Sequence, residues 1–440
     1  MKFPTKLASG LLASALALSL GACGGSPSSS TTASKTQSAA GPVTINVWAW
    51  EPTLKAVVTA FEAANPNITV NLQNVGGAGD TYTKLDNAIS AGSGAPDVAQ
   101  VEYYAIGQYA IPGKLADLTQ FGAADLSKSF TTGTWNAVTL SNSGKVYGLP
   151  VDSGPMALFY NKATFDKAGI TQPPVTWDEY YQDAKKIHAL GKNYYITTDN
   201  GDAGFATSMM WQTGAKPFQV SSGAVTINLG DSGVVKFADF WQKMISEDLI
   251  NTKISGWSDD WFKGLGDGSV ASLITGAWMP ANLIGSAPKG AGNFRVAATP
   301  VPTAGTPANS ENGGSSLAVL ASSQKKEAAY KFLQFTSAGD GVAIRIKGGN
   351  FPSTTADLAK PDFLGYTDTY FGGQQYNQVL AQAAKDVLPG WSYLPYQVYA
   401  NSIFGDKVKD AYSGKGNLKD AYAAWQTDLE KYGKDNGFIK

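Results

Sequence analysis

The sequence predicts an α/β fold divided between two domains. Two observations carry this prediction. Once the first 42 residues are set aside, roughly 400 remain, more than a single hydrophobic core ordinarily supports. That remainder also opens with strand-like and helix-like segments in alternation, which implies parallel pairing through right-handed crossovers.

The N-terminus comes first in the chain and sets the compartment. Lys2 and Lys6 precede an apolar run from Leu7 to Leu20, and small residues then lead into Cys23. This is the layout of a secretory signal peptide over residues 1–22, too short for a stable membrane span. Leu20-Gly21-Ala22-Cys23 resembles a bacterial lipobox. The resemblance implies that Cys23 is lipidated after cleavage and anchors the chain to the membrane, each buried methylene contributing about 0.8 kcal/mol. An ordinary signal peptide with an incidental cysteine is the competing reading. Residues 23–42 are rich in Ser, Thr, Ala and Gly and form a flexible linker from that anchor.

Composition then removes several function classes. Cys23 is the only cysteine, so its lipidation excludes disulfides, a cysteine nucleophile and cysteine-based metal sites. The lone histidine, His188, falls within an amphipathic helical pattern from Tyr180, where a solvated side chain is expected rather than a triad member. Net charge is −1 and runs of Lys or Arg are absent, which excludes a nucleic-acid partner. Charged residues make up 16% while there are 11 Trp and 20 Tyr, a balance suited to a neutral, polyhydroxylated ring.

The first strand of the folded part is Val43 to Trp50, stopped by Pro52. A helix follows with Leu54, Val57, Val58 and Phe61 at helical spacing, and Ile68 to Leu72 is the next strand. A helix near Asp80 to Ala91 leads into the strand Asp97 to Val101. Open parallel sheets bind ligands beyond the carboxyl ends of their strands, which points to the loops after Trp50 and Val101. Further on, Leu158 to Asn161 reads as a strand, Thr176 as the N-cap of a helix, and Ala271 to Gly276 as an apolar strand. Leu317 to Leu320 and a helix from Lys325 to Phe335 follow, and the tail from Asp406 to Lys431 is mostly helical.

Five landmarks then appear in order: the opening "TINVWAWEPTLKAVVTAFEAANPNITV", "GSGAPDV", "GKVYGLPVDSGPMALFYNKATFDKAGI", "GSVASLITGAW" and "NGGSSLAVLASSQKKEAAYKFLQFTS". This ordered set resembles the extracellular solute-binding proteins that serve ABC sugar importers, the group that includes maltodextrin-binding proteins. The resemblance runs from about Val43 to the C-terminus. It implies a two-lobed fold of the type II periplasmic-binding-protein kind, with discontinuous lobes joined by hinge crossovers. Residues 43–149 and 313–348 would form the N-lobe, and 150–312 and 349–440 the C-lobe. The implied function is capture of a sugar, an oligosaccharide by the abundance of bulky aromatics, for delivery to membrane permease subunits. The implied location is the outer face of a Gram-positive cell membrane, and the implied state is a monomer without cofactor or metal.

Sugars are held by aromatic faces against ring C–H groups while polar side chains satisfy the hydroxyls, since an unpaired desolvated hydroxyl costs roughly 1–3 kcal/mol. Candidate ligand residues are therefore aromatic and polar groups at strand ends and crossovers. Trp50 and Glu51 end the first strand, and Glu102 and Tyr103 end the strand from Asp97. Asp152 lies just past the first crossover, Asn312 and Gly313 lie at the second, and Asn350 at the third. Trp211, Trp257, Trp278 and Trp391 sit near glycines or at a strand end. Core packing competes with ligand contact for every tryptophan, and an N-cap or surface salt bridge competes for Glu51, Glu102 and Asp152. Trp48, Trp177, Trp241 and Trp425 read as packing residues. Gly76 to Gly79 matches no phosphate-binding pattern, and Gly266 to Gly268 lacks the spaced oxygens of a calcium loop.

Two other functions compete with this reading. A secreted glycoside hydrolase would need two carboxylates about 5–10 Å apart across one sugar bond, and Glu51, Glu102 and Asp152 are the candidates. A binding protein for an amino acid, polyamine or metal chelate would need charges opposite to the ligand's.

Overall fold

The computed structural model describes residues 41–139, 144–221 and 224–439. The predicted signal peptide, Cys23 and all but the last two residues of the linker lie outside the described residues. From Gly41 to Lys440 the chain forms one compact unit.

The opening alternation folds as its spacing implies. β1 (Val43–Trp48) pairs in parallel with β2 (Ile68–Gln73) on one side and β3 (Val98–Glu102) on the other. α1 (Leu54–Ala64) crosses between β1 and β2 and buries Leu54, Val57 and Phe61. α2 (Ala78–Ala91) crosses between β2 and β3, burying Tyr82 and Leu85, and stops at Gly92 in the left-handed conformation that glycine adopts without strain. β4 (Leu149–Pro150) completes one edge of this sheet. β1 stops at Trp48, two residues earlier than expected, and this frees Trp50 and Glu51 as a loop at its carboxyl end.

A second sheet begins immediately after. β5 (Met156–Asn161) is its centre, flanked in antiparallel fashion by β6 (Ser272–Gly276) and β7 (Phe294–Ala298). Between β5 and β6 run α3 (Trp177–His188), α4 (Ala203–Gln212) and α5 (Ser232–Ser246). α3 starts with a complete capping box: Thr176 Oγ1 accepts from Glu179 N at 3.2 Å, and Glu179 Oε2 accepts from Thr176 N at 3.0 Å. His188 at the other end of α3 is not freely solvated. Its Nδ1 meets Tyr194 O at 2.9 Å and its ring packs on Tyr195, because the chain turns back beneath the helix end.

β8 (Ser315–Val319) returns to the first sheet and inserts between β3 and β4, antiparallel to both, giving the order β2-β1-β3-β8-β4. The sheet is thus mixed rather than wholly parallel. α6 (Lys326–Ala338) covers it with Phe332 and Leu333, beside α7 (Gly341–Lys347). α8 (Gln397–Tyr412) and α9 (Leu418–Asp435) close the chain and pack Phe404 and Trp425 onto the cluster that holds Trp241. Trp177, Trp241 and Trp425 are buried, as their placement on amphipathic helices implies, whereas Trp48 is only partly covered.

Each sheet therefore has its own apolar interior, and the chain passes between the two three times. In the first two passages the segments run side by side: Asn312 N donates to Gly154 O at 2.7 Å and Val151 N to Ser315 O at 2.9 Å. A Cβ at Gly154 would lie 2.3 Å from Asn312 O, so only glycine allows this approach. In the third passage Ser353 Oγ meets Pro150 O at 3.3 Å, and Thr131 N donates to Ser353 O.

Candidate functional site

The carboxyl ends of β1 and β3, the end of β6 and all three passages open onto one cleft of about 920 Å3. Parallel strand ends leave their last backbone groups and side chains directed outward, which is why the cleft lies there.

On the side of the first sheet, Gln100 fixes the loop after β1. Its Oε1 accepts from Trp50 N and Glu51 N, both at 3.0 Å, and its Nε2 donates to Ser315 Oγ at 2.9 Å. Glu51 Oε1 is taken up by Thr53, whose hydroxyl and backbone N–H both donate to it. Glu51 Oε2 is buried and meets no donor. A buried carboxylate oxygen without a partner is costly, so a ligand hydroxyl that donates to it recovers free energy. The Trp50 ring is set edge-on against Tyr82. Glu102 ends β3, and burial pushes its carboxyl up to about 7 against the opposing effect of a hydrogen bond from Tyr104. Asp152, 8% exposed, accepts from Ser315 N and Ser315 Oγ, and burial raises its carboxyl to about 6.

On the side of the second sheet, aromatic faces dominate. Trp257 is 54% exposed and holds a backbone φ of +68°, which a bulky residue rarely tolerates. Its ring stacks on Trp278, with centroids 5.6 Å apart and planes 24° apart. Trp278 is anchored by its Nε1, which donates to Asn312 O at 2.8 Å. A Cβ at Gly276 would lie 2.3 Å from that Nε1, so the glycine that ends β6 makes room for the indole. A strained backbone thus presents an exposed tryptophan to the cleft, stacked on a second one, in the same cleft that the carboxylates line.

The cleft brings together Trp50, Glu51, Glu102, Asp152, Trp257, Trp278, Asn312, Gly313 and Asn350 from the sequence-derived set. It does not bring Tyr103, Trp211 or Trp391. Tyr103 turns inward beneath Gly314 and its hydroxyl donates to Asp152 O, so it braces the first passage. Trp211 and Trp391 stack on each other with centroids 5.4 Å apart and planes 4° apart, and Trp211 Nε1 donates to Leu388 O at 2.7 Å. Both line a second cavity, of about 1730 Å3, together with Glu311. The second passage divides the neighbours: Asn312 lines the cleft while Glu311 lines the second cavity.

Sequence reasoning missed Gln100, Tyr104, Asp202 and Tyr393, which also line the cleft. Period-two alternation along β3 carries the signal for one of them, since Gln100 shares a face with Glu102. Among the described residues that line the cleft, none is Lys, Arg or His, while five are Asp or Glu. Such a surface offers hydrogen-bond acceptors and repels anions.

A family model described as bacterial extracellular solute-binding protein matches residues 49–343. A solved binding protein associated with an ABC transporter from B. animalis subsp. lactis, in complex with β-1,6-galactobiose, is 53% identical. The match covers 90% of this chain and 98% of that one, with a TM-score of 0.84. The galacto-N-biose-/lacto-N-biose I-binding protein of the ABC transporter from Bifidobacterium longum, in complex with lacto-N-biose, is 27% identical. There the coverage is 91% and 99%, with a TM-score of 0.80. A lactose-binding protein of Rhizobium radiobacter is 30% identical over 380 residues, which is 83% of this chain and 86% of that protein.

Proposed function

This chain belongs to the bacterial extracellular solute-binding protein family, and we propose that it is the sugar-capturing component of an ABC importer. It takes up a neutral oligosaccharide of two or more rings and hands it to membrane permease subunits. The observation that carries this reading is the cleft itself, a stacked tryptophan shelf opposite carboxylates, one of them with an unpartnered buried oxygen. A flat ring with C–H groups on its faces and hydroxyls at its edge satisfies both sides at once. The proteins with bound β-1,6-galactobiose and lacto-N-biose support a disaccharide core of this kind. The nine cleft residues named above are the ligand-contacting set.

Capture proceeds by closure. Residues 43–149 with 313–348 form one lobe, and 150–312 with 349–440 the other. A sugar that touches Glu51 and Glu102 on one lobe and Trp257 and Trp278 on the other gains its full contact set only when the two are together, and this differential affinity drives the change. The protein acts as a monomer held at the outer face of the cell membrane through a lipid on Cys23. The basis for the anchor is the Leu20-Gly21-Ala22-Cys23 sequence after a positively charged, apolar leader.

Calorimetric titration of the purified protein with β-1,6-galactobiose, lacto-N-biose and lactose tests the reading. Saturable binding of at least one, with the sugar recovered intact by product analysis, is the expected result. Hydrolysis of the sugar, or no binding across the panel, contradicts it.

A further inference from the structure

Arg345, on α7, is 1% exposed beneath the cleft. Its Nε donates to Thr336 O at 3.1 Å at the end of α6. Its Nη1 donates to Val151 O in the first passage and to Asn350 Oδ1 at 3.0 Å in the third. Asn350 N donates back to Arg345 O at 3.0 Å, so the two residues are bonded in both directions. One side chain thus joins α6 to two of the three passages between the lobes.

The chemistry of the pair fixes which way the asparagine faces. A guanidinium carries donors only, so it must meet the carbonyl end of the Asn350 amide. Asn350 also lines the cleft, and the end left for the cleft is the NH2 group. The charged groups of the cleft are carboxylates, which offer acceptors to a sugar's hydroxyl protons. An amide held with its nitrogen forward supplies the opposite capability, a donor for a sugar hydroxyl or ring oxygen. Resting on the sugar-binding reading above, we infer that Arg345 is a positioning residue that holds Asn350 as a fixed donor toward the bound sugar and clamps it to the first passage.

A double-mutant cycle of Arg345→Lys and Asn350→Ala, read by calorimetry with β-1,6-galactobiose and by thermal melting, tests this. Arg345→Lys weakens binding roughly 10-fold when Asn350 is present and less than about 2-fold in the Asn350→Ala background. Equal losses in both backgrounds assign Arg345 to general support and overturn the inference. Asn350→Asp gives a second arm that does not disturb the buried arginine. It keeps a partner for Arg345 and melts at or above the unsubstituted protein, yet it replaces the donor with an acceptor and weakens binding at least roughly 10-fold. Unchanged binding by Asn350→Asp overturns the inference even where Arg345→Lys fails to fold. If the unsubstituted protein binds no β-1,6-galactobiose, the sugar reading fails for that disaccharide while melting still decides the link. Non-additive losses in melting temperature support it and additive losses refute it.

Discussion

Among the described residues two tryptophan pairs stack, and they are built for different purposes. Trp257 and Trp278 face the cleft, with Trp257 more than half exposed on a strained backbone. Trp211 and Trp391 lie nearly parallel to each other beside the other cavity, where Trp211 is 9% exposed and tied to Leu388 O. Folding alone gives no reason to leave a large apolar ring in water at a positive φ, whereas a covered ring is what packing favours, although of the second pair only Trp211 is hydrogen-bonded and the buried Trp391 Nε1 meets no acceptor. The first pair is therefore shaped for a ligand and the second for stability. The contrast teaches that proximity to glycine or proline does not separate the two roles, because both pairs have it.

Substitutions break this comparison in order of expected effect. Trp257→Ala removes the exposed half of the shelf and costs about 3 kcal/mol of sugar binding, near 100-fold, with the melting temperature unchanged or raised by relief of strain. Calorimetry and melting of the same sample check both halves. Trp391→Ala does the reverse: it leaves sugar affinity within about 2-fold and destabilises the fold by about 2 kcal/mol, less than a fully buried tryptophan because the ring is only half-buried. Chemical denaturation measures that loss. If Trp391→Ala weakens binding as much as Trp257→Ala, the division between the pairs fails.

Smaller effects sharpen the comparison through the carboxylates. Glu51→Gln turns the buried Oε2 acceptor into an amide and weakens binding about 10-fold without loss of stability. Glu311→Gln acts on the other cavity. Burial raises the Glu311 carboxyl from its ordinary 4.5 to about 7, with Ser153 as its hydrogen-bond partner. The folded state therefore holds this proton more tightly than the unfolded state does. The stability this confers is complete below pH 4.5 and is lost as pH rises through about 7. Glu311→Gln then gains about 1 kcal/mol at pH 8 relative to the unsubstituted protein. Melting curves from pH 4.5 to 8 should show a flatter profile for the variant and no change in sugar affinity. A steeper decline in the variant would contradict the assignment.

Much of this was legible in the amino-acid order. The strand–helix–strand opening carries its own periodicity, and a parallel strand's carboxyl end names Trp50, Glu51 and Glu102 as cleft residues before any coordinates are seen. The Thr176 cap was legible because capping is local. What was not legible depends on contacts far apart in sequence. Trp391 meets Trp211 across 180 positions, and nothing near either residue encodes the encounter. Tyr103 could have been set aside, since Glu102 takes the cleft-facing position at the end of β3 and the chain turns at Tyr103. Gln100 was missed because a polar residue inside an apolar strand gives no local sign that it will hold the loop after the neighbouring strand, some 50 residues earlier in the chain. The mixed character of the first sheet depends on β8 returning from more than 200 residues downstream, which no local signal announces.

A crystal structure with β-1,6-galactobiose tests the central claim most directly. The account predicts one sugar ring lying flat on the Trp257–Trp278 shelf, with a hydroxyl donating to Glu51 Oε2 and the Asn350 amide nitrogen turned to the ligand. Density for the sugar beside Trp211 and Trp391, with the cleft between the sheets unfilled, would contradict it.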